Sequence, residues 1–527
     1  MKKSLADALD PMRINQLSCK DALMTIAHVI DRAFNLQDSV ATSQAFKALD
    51  AMEQRDLTSE QQVLVHYFRA NAWENTALNK EKNYTWEWEN VERQNQLLEL
   101  RRAAHHKDFD KLDSIRKCQI LTNLGNNLSA VGRFIEAIEV WDKALNINPE
   151  FAMAHGNRAN GLLFYARSLF DPGHRSVLCL AAMDAFGSAS GKLAFFENDP
   201  NDELRKRFSD LKDQTTAMFD EASTRRIYEK GYENPDWGST EEEATYRKWT
   251  LRNRLFINPL NDLGENPISS SDVLTPPYIT ESNDDVYRVE SGPPAIFGMY
   301  NQLKQEFISA RHLYYEGIQS EGVHYSDKKV LLYNTLDYPS YSLAIEKIRF
   351  SYRLAYSIFD KIAYFLNYYL GVGHPEKNVN FRNIWFIKKG KNRKSLHNMF
   401  IERQNWPLRG LFWLSKDLFD DEFKRTTDPQ ASEMANIRNH LEHKFCFIHE
   451  SWALGASNPN RGSLGGGIHL DRDSFTVKAL IVLKRVRAAI IYLALAVHRE
   501  EYLRHGSSRD QWSIPLEVDI WEDEWKN

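Results

Sequence analysis

Apolar residues recur at spacings of three and four along most of the chain, which is the period of helices with one buried face. In the first half of the chain this spacing is clearest over 41–52 and 61–78. In the second half it returns over 341–370, 407–423, 429–451 and 474–504. No region alternates convincingly with period two, so strands are at most minor. The pattern therefore predicts an all-α protein.

Turn-forming residues interrupt the helical pattern between these two halves. Asparagine, proline, glycine and serine are frequent from residue 234 to residue 277, where they favour turns over helices. A chain of 527 residues also exceeds one hydrophobic core, since domains hold roughly 100–200 residues. We expect a helical array at 1–222, a connector that packs on its neighbours at 223–292, a helical bundle at 293–510 and a tail at 511–527.

The clearest pair of helices in the first half lies at residues 118–149. Gly132 marks the turn between them, small Gly125 and Ala137 stand where the helices would cross closely, and Trp141 would fill the space beside them. The segment resembles a tetratricopeptide repeat, a two-helix unit with a period of ~34 residues. One such unit cannot bury its own face, so the resemblance implies at least three stacked units.

Repeats on both sides of this pair would extend the array. A second copy begins near residue 152, and residues 67–73 look like a more degenerate one. The groove of such an array would present polar groups to a protein or peptide partner, or to a nucleic acid. The candidates are Asn126, Asn157 and Arg158. The same residue types are also generic in these repeats, which leaves a purely structural role open.

Net charge and cysteine usage narrow the class of protein. A net charge of -5 argues against a chain that coats nucleic acid along its whole length, although it allows a local basic groove. The four cysteines are far apart and form no CxxC pair, which favours a reducing compartment over a zinc knuckle or a disulfide framework. The start lacks the apolar run of a signal peptide, and the longest apolar run, 488–497, has about half the ~20 residues of a membrane span. We expect a cytoplasmic protein with no contact to membranes.

One polar motif lies within the predicted helix 429–451, with the sequence Arg438-Asn439-His440-Leu441-Glu442-His443. At about 100° per residue, four of these side chains share a polar arc beside the apolar stripe, and His440 lies beyond His443 on the far side from Arg438. The stripe consists of Met434, Ile437, Leu441, Phe445 and Ile448.

The polar arc suits RNA cleavage without a metal ion. In that reaction the 2′-hydroxyl attacks the adjacent phosphate, and a histidine such as His443 moves protons. The guanidinium of Arg438 would stabilise the charge that develops on the phosphate, and the carboxamide of Asn439 would orient the imidazole or the phosphate. The alternative is a solvated helix face that carries an Arg438–Glu442 pair.

The motif resembles the signature of the HEPN superfamily, in which an arginine and a polar residue are followed by a short spacer and a histidine. Arg438, Asn439 and His443 stand at these positions. The resemblance implies a ribonuclease that works as a homodimer, with two motifs facing one cleft. It also implies a role in bacterial defence or toxin-type growth arrest.

The resemblance covers about the last 200 residues. It extends to the long helix 341–370 before the motif and to the closing helix 474–504. Arg353 and Asp360 on the first of these helices, together with Glu442, are expected to support the site.

A basic segment upstream of the motif is a second candidate for RNA contact. Its cationic residues are Lys388, Lys389, Lys391, Arg393 and Lys394. They would track the RNA backbone while Trp385 or Phe386, which flank them, stacks on a base. The alternative is a solvated basic loop.

Metal and phosphate-loop chemistry finds little support in the sequence. His440 and His443 lie one turn apart, but the HExxH pattern of zinc proteases is absent. The glycine-rich segment 462–467 is not followed by a Lys-Ser or Lys-Thr pair, so it is better interpreted as a flexible connector. We expect no metal and no cofactor.

Two functions remain in competition. The first is a metal-independent endoribonuclease whose repeat array senses a partner and restrains or licenses cleavage. The second is a non-catalytic interaction protein with a HEPN-like dimerisation bundle. The presence of Arg438, Asn439 and His443 together favours the enzyme, because a decayed site is expected to have lost one of them.

Overall fold

Helices account for most of the structure, which is a computed structural model. It describes residues 5–80, 86–197, 199, 201–233, 235–277, 279, 295–334, 337–389, 393–420, 434–452, 467–506 and 520–526. These residues contain eighteen α-helices and four short strands. The prediction of an all-α fold in which strands are minor is confirmed.

The N-terminal helices form a layered stack. Their bounds are α1 Pro11–Gln16, α2 Cys19–Leu36, α3 Ser39–Glu53, α4 Ser59–Lys80, α5 Val91–Ala104, α6 Ser114–Ala130, α7 Phe134–Ile147, α8 Ala152–Ser168, α9 Pro172–Ser190 and α10 Glu203–Thr216. From α2 to α10 each helix packs on the next along the chain. This order is consistent with tetratricopeptide-like stacking, and the repeat family itself stays a prediction.

The pair α6 and α7 shows why small residues stand at the helix crossing. Gly132 turns the chain with a φ of 91°, a conformation that glycine adopts without steric cost. The Trp141 indole lies so close to α6 that a Cβ on Gly125 would be 2.5 Å from its Nε1. That Nε1 donates to Asn126 Oδ1 at 3.1 Å. The close crossing thus requires a residue without a side chain at position 125.

The connector is irregular and largely buried from residue 255 to residue 277. After α11 (Glu221–Glu233) and α12 (Glu241–Arg252) the chain forms short 3₁₀ turns. The Arg487 guanidinium of the last helix donates to the Phe256 and Asn258 carbonyls at 2.5 and 2.8 Å and to Asp262 Oδ1 at 2.5 Å. Tyr165 of α8 donates to the other oxygen of Asp262 at 2.9 Å. These bonds join array, connector and bundle, while the four-part division of the chain stays a prediction.

The C-terminal part is a helical bundle with two small pairs of strands. Its helices are α13 Ala295–Gln319, α14 Leu343–Leu370, α15 Asn398–Ile401, α16 Trp406–Phe419, α17 Met434–His443 and α18 Arg472–Gly506. The strands β1 (Phe386–Lys389) and β2 (Arg393–Leu396) pair antiparallel, and β3 (Phe445–His449) and β4 (Gly467–Asp471) pair parallel. Helix α18 packs on α13, α14 and α16. Its central residues, 486–497, are almost wholly buried.

The predicted helix 429–451 is partly wrong. Helix α17 ends at His443, and the following residues enter strand β3. Phe445 and Ile448, which were assigned to the apolar stripe of the helix, therefore lie on a strand. Aromatic and β-branched residues dominate this segment and favour a strand, and β4 pairs with it from Phe445 to His449. Residues 429–433 lie outside the described part of the chain.

An ionic cluster joins the array to the bundle. Asp417 on α16 accepts two bonds from the Arg101 guanidinium, at 2.6 and 2.8 Å, and a third from Arg133 at 2.5 Å. All three side chains are buried. Burial alone would raise the pKa of Asp417, but the two guanidiniums outweigh it and hold the pKa well below its usual range.

Close backbone contact accompanies this cluster. A Cβ added to Gly132 would lie 2.7 Å from the Gly410 nitrogen of α16, so the turn of the array rests directly on a helix of the bundle. Trp413 of α16 donates from its indole to the Trp88 carbonyl at 3.0 Å. The two parts of the chain thus share one packed interior.

Candidate functional site

Helix α17 carries the polar motif and is fixed on α14 by two contacts. Met434 and Ile437 of α17 are buried, and the Tyr352 hydroxyl of α14 donates to the Met434 carbonyl at 2.8 Å. The Arg353 guanidinium donates to both oxygens of Glu442, at 3.1 and 2.9 Å. The hydrogen bonds from Arg353 lower the pKa of Glu442. Glu442 therefore pairs with Arg353 rather than with Arg438. This corrects the alternative interpretation of the motif, in which Glu442 pairs with Arg438.

His440 points into the protein. Its side chain is buried, and its Nδ1 lies 2.8 Å from the Asn436 carbonyl oxygen. A carbonyl can only accept, so Nδ1 carries the proton. His440 therefore supports the helix rather than the polar surface that His443 occupies.

A cavity of about 550 Å³ opens beside the first two turns of α17. Two guanidiniums, three carboxamides, one carboxylate and one phenol line it. The lining residues are Tyr356, Asp360, Asn380, Arg382, Asn383, Phe419, Ala435, Arg438 and Asn439. This density of N–H donors suits an anionic oxygen such as that of a phosphate.

Arg438 lies at one wall of the cavity. Its guanidinium carbon is 6.0 Å from the centre of the Tyr356 ring, and its Nη1 donates to Asn439 Oδ1 at 3.3 Å. Burial raises the pKa of Tyr356, so its hydroxyl stays neutral. A guanidinium that lies over an aromatic face still presents the N–H groups at its edge to a ligand.

A turn after α14 supplies the opposite wall. Asp360 accepts from the Phe381 backbone nitrogen at 3.0 Å, and Asn380 accepts from the Asn383 nitrogen at 3.0 Å. These bonds direct Asn380, Arg382 and Asn383 towards the cavity. Sequence reasoning missed these three residues, and the only signal was a cluster of turn-forming and basic residues after the glycines that end α14.

His443 is not part of this cavity. It is the last residue of α17, it is exposed, and it does not appear among the lining residues. The structure thus brings Arg438, Asn439 and Asp360 together and leaves His443 at the adjacent surface.

Residues 287–500 match the family model described as LA2681-like HEPN. This match supports a C-terminal HEPN domain. It covers about two fifths of the chain and includes the cavity, α17 and all four strands. The region assigned to repeats lies outside it. No solved structure matches the chain.

The basic segment of the HEPN domain is only partly as expected. Trp385 is fully buried, its Nε1 donates to the Phe381 carbonyl at 2.9 Å, and its ring packs against Trp88, Phe400 and Phe412. It cannot stack on a base, so that part of the expectation is corrected.

The cationic residues of this segment lie on a strand pair. Lys388 and Lys389 belong to β1, Arg393 and Lys394 belong to β2, and Lys391 lies outside the described residues. The pairing of β1 with β2 corrects the loop interpretation at these four positions, and the RNA contact stays a prediction.

The groove candidates of the array bond within the array itself. Asn126 accepts from Trp141, Asn157 donates to the Met153 carbonyl at 2.8 Å, and Arg158 donates to Asp142 at 2.7 Å. These contacts accord with the structural role that the sequence left open for them.

A cluster that the sequence did not reveal lies next to α17. Asp337, His449 and His469 place one potential ligand atom each within 4.8 Å of the others. The absence of an HExxH pattern predicted no metal, and these three residues were not candidates since they lie far apart along the chain. Among the described helices, none is long and apolar enough to cross a membrane.

Proposed function

We propose that this chain is a metal-independent endoribonuclease in which the HEPN domain cleaves RNA and the helical array regulates cleavage. The observation that carries the proposal is the cavity beside α17, where Arg438 and Asn439 line a space rich in guanidinium and carboxamide groups. RNA phosphates are bound by such groups. The HEPN match supports a nuclease-type role for the same region.

The proposed reaction needs only proton transfer and charge stabilisation. The 2′-oxygen of a ribose forms a bond to the adjacent phosphorus while the bond from phosphorus to the 5′-oxygen breaks. His443 moves the protons, since the 2′-hydroxyl loses one and the leaving 5′-oxygen gains one. Arg438 stabilises the phosphorane charge. The products end in a 2′,3′-cyclic phosphate and a 5′-hydroxyl.

Two chains are proposed to form the complete site. His443 is exposed at the end of α17 and lies outside the cavity, so a second chain packed against this surface would close the space between arginine and histidine. HEPN domains commonly dimerise and bind RNA, in keeping with this arrangement. We expect a homodimer whose 438–443 segments face each other. Light scattering on the full chain would show whether it is a dimer. Full activity in a strictly monomeric protein would contradict it.

The decisive experiment is cleavage by the His443→Ala variant. The purified chain is incubated with total RNA, with EDTA added at the start, and the product ends are analysed. We expect the wild type to cleave and His443→Ala to be inactive while it keeps its helical circular dichroism, because an exposed side chain adds little to the core. His28→Ala, at another exposed histidine, is the matched control and should cleave like the wild type.

Two results would overturn the proposal. One is cleavage by His443→Ala at the wild-type rate, and the other is a strict need for an added divalent ion. Either result would show that the site assignment is wrong, whereas no cleavage by the wild type would favour the non-catalytic interaction protein. A role in bacterial defence or growth arrest is part of the proposal, and it predicts that expression of the wild type, but not of His443→Ala, arrests growth.

A further inference from the structure

Three extended segments meet directly behind α17. Strand β3 begins two residues after the helix ends and pairs in parallel with β4, in a register that sets Phe447 opposite His469. On its other side β3 contacts the segment before α14, where the Ser340 nitrogen donates to the Ile448 carbonyl at 2.7 Å. This arrangement brings together Asp337, His449 and His469, one from each segment.

His449 is oriented by a backbone group. Its side chain is 2% exposed, and its Nδ1 lies 2.8 Å from the carbonyl oxygen of Asp337. Because a carbonyl only accepts hydrogen bonds, Nδ1 carries the proton and Nε2 keeps a lone pair. A histidine whose second nitrogen donates to a carbonyl is the usual arrangement in metal sites, since it fixes both tautomer and ring orientation.

The lone pair of His449 faces a second imidazole. Its Nε2 lies 2.8 Å from Nδ1 of His469, and the two rings are nearly parallel with centres 5.0 Å apart. The other nitrogen of His469, Nε2, is buried and has no hydrogen-bond partner among the described residues. Of the four ring nitrogens of this pair, His469 Nε2 is therefore the one that the described protein groups leave unsatisfied.

The charges at this cluster favour a cation. Asp337 adds a carboxylate whose oxygen lies within 4.8 Å of both imidazole ligand atoms. Atoms bound to one ion at about 2 Å each lie within about 4 Å of one another, so small side-chain rotations suffice to close the site.

We propose that Asp337, His449 and His469 bind one zinc ion that ties the segment before α14 to strands β3 and β4. Two imidazoles and one carboxylate are a ligand set that zinc takes with a water in the fourth position, whereas magnesium and calcium prefer oxygen ligands. The proposal is independent of RNA cleavage, because its readouts are metal binding and thermal stability.

The test uses the untagged full-length chain after removal of metal by a chelator and dialysis. Titration with zinc chloride by calorimetry should give one ion per chain, and the cobalt derivative should show the visible absorption of a four-coordinate site. The thermal midpoint should also rise with the logarithm of the zinc concentration, because zinc binds only the folded state.

Two ligand variants and a control sharpen the result. His469→Ala and Asp337→Asn should each weaken zinc binding by roughly 100-fold, since even groups that only orient a ligand contribute 10- to 100-fold. The control is His312→Ala, because His312 lies 3.9 Å from the Glu316 carboxylate and offers a histidine and an acid without a third ligand. It should bind zinc like the wild type.

Several outcomes would overturn the site. Absence of a zinc-dependent rise in the thermal midpoint of the wild type would do so without any variant. Equal binding by His469→Ala, or by Asp337→Asn should the first variant fail to fold, would show that the ion binds elsewhere. Stoichiometric binding lost in both folded variants and kept in His312→Ala would establish it.

Discussion

At the residue scale, the candidate site is a cavity lined by guanidinium and carboxamide groups from α17 and from the turn after α14. Arg438 and Asn439 were singled out from their spacing, and both line the cavity. Asn380, Arg382 and Asn383 were missed because their turn reaches the cavity only through the packing of α14 against α17. Trp385 was misassigned for a related reason, since flanking lysines do not reveal that an indole is buried.

The contribution of Arg438 can be measured by two substitutions. Arg438→Ala is expected to lower the cleavage rate by about 10²–10³, the cost of removing one donor from a site of developing charge. Arg438→Lys should restore only part of that rate, because an ammonium cannot donate to two phosphate oxygens in the fork geometry of a guanidinium. Single-turnover rates on a defined RNA would show both effects.

An arginine outside the site provides the comparison. Arg252 is exposed and lies 3.7 Å from Glu265, far from the residues that line the cavity. Arg252→Ala should cleave at the wild-type rate. An equal loss in both alanine variants would mean that general charge, rather than the cavity, determines the rate.

At the element scale, helices were predictable and the helix-to-strand change after α17 was not. The long periodic runs became α14, α16 and α18 with ends displaced by a few residues. Periodicity does not decide the segment that begins at Phe445, because a short run of apolar residues fits a helix as well as a strand. Its partner, β4, lies eighteen residues beyond the end of β3, and only that pairing decides the outcome.

The contact between α14 and α17 should respond to a double-mutant cycle. Arg353 and Glu442 form a bidentate pair in which both side chains are partly exposed. We expect a coupling free energy of about 0.5–1 kcal/mol between Arg353→Ala and Glu442→Ala, because solvent screens such a pair. Urea unfolding of the four proteins would measure it.

Acid should weaken the same pair in a defined direction. The pKa of Glu442 is lowered in the folded state, so its contribution is present above the ordinary glutamate pKa and is lost as pH falls through the folded value. A coupling that persists unchanged in acid would show that the two side chains do not interact as charges.

At the scale of the whole molecule, the junction between array and bundle could not be predicted from the sequence. Arg101, Arg133 and Asp417 were not candidates, since nothing local connects residues separated by some three hundred positions. Their bonds, with the buried part of the connector, place the N-terminal helices and the C-terminal bundle in one interior. A regulatory array would then act through packed contacts rather than through a loose tether.

Loss of the Asp417 charge should therefore destabilise the protein as a unit. At pH 7 we expect Asp417→Asn to lower the free energy of unfolding by about 3–5 kcal/mol, because two buried guanidiniums lose their counter-charge. The pKa of Asp417 is lowered in the folded state, so this stabilisation is complete above the ordinary aspartate pKa and is lost as pH falls through the folded value. The difference between wild type and variant should shrink in acid.

Fluorescence and circular dichroism during urea unfolding would test both parts of this expectation. The midpoint at pH 7 should fall in the variant, with a single transition seen by both signals if array and bundle unfold together. A variant whose midpoint equals that of the wild type would contradict the role assigned to the cluster. Asp184→Asn is a suitable control, because Asp184 pairs with Arg225 at the surface.

The contact between Gly132 and Gly410 has a mechanical consequence. Backbone lies against backbone there, with no side chain that could change rotamer to absorb a displacement. A movement of the turn between α6 and α7 would then displace α16 as a rigid body. Any signal that the array receives would reach the bundle as a displacement of whole helices, transmitted at the contact between Gly132 and Gly410.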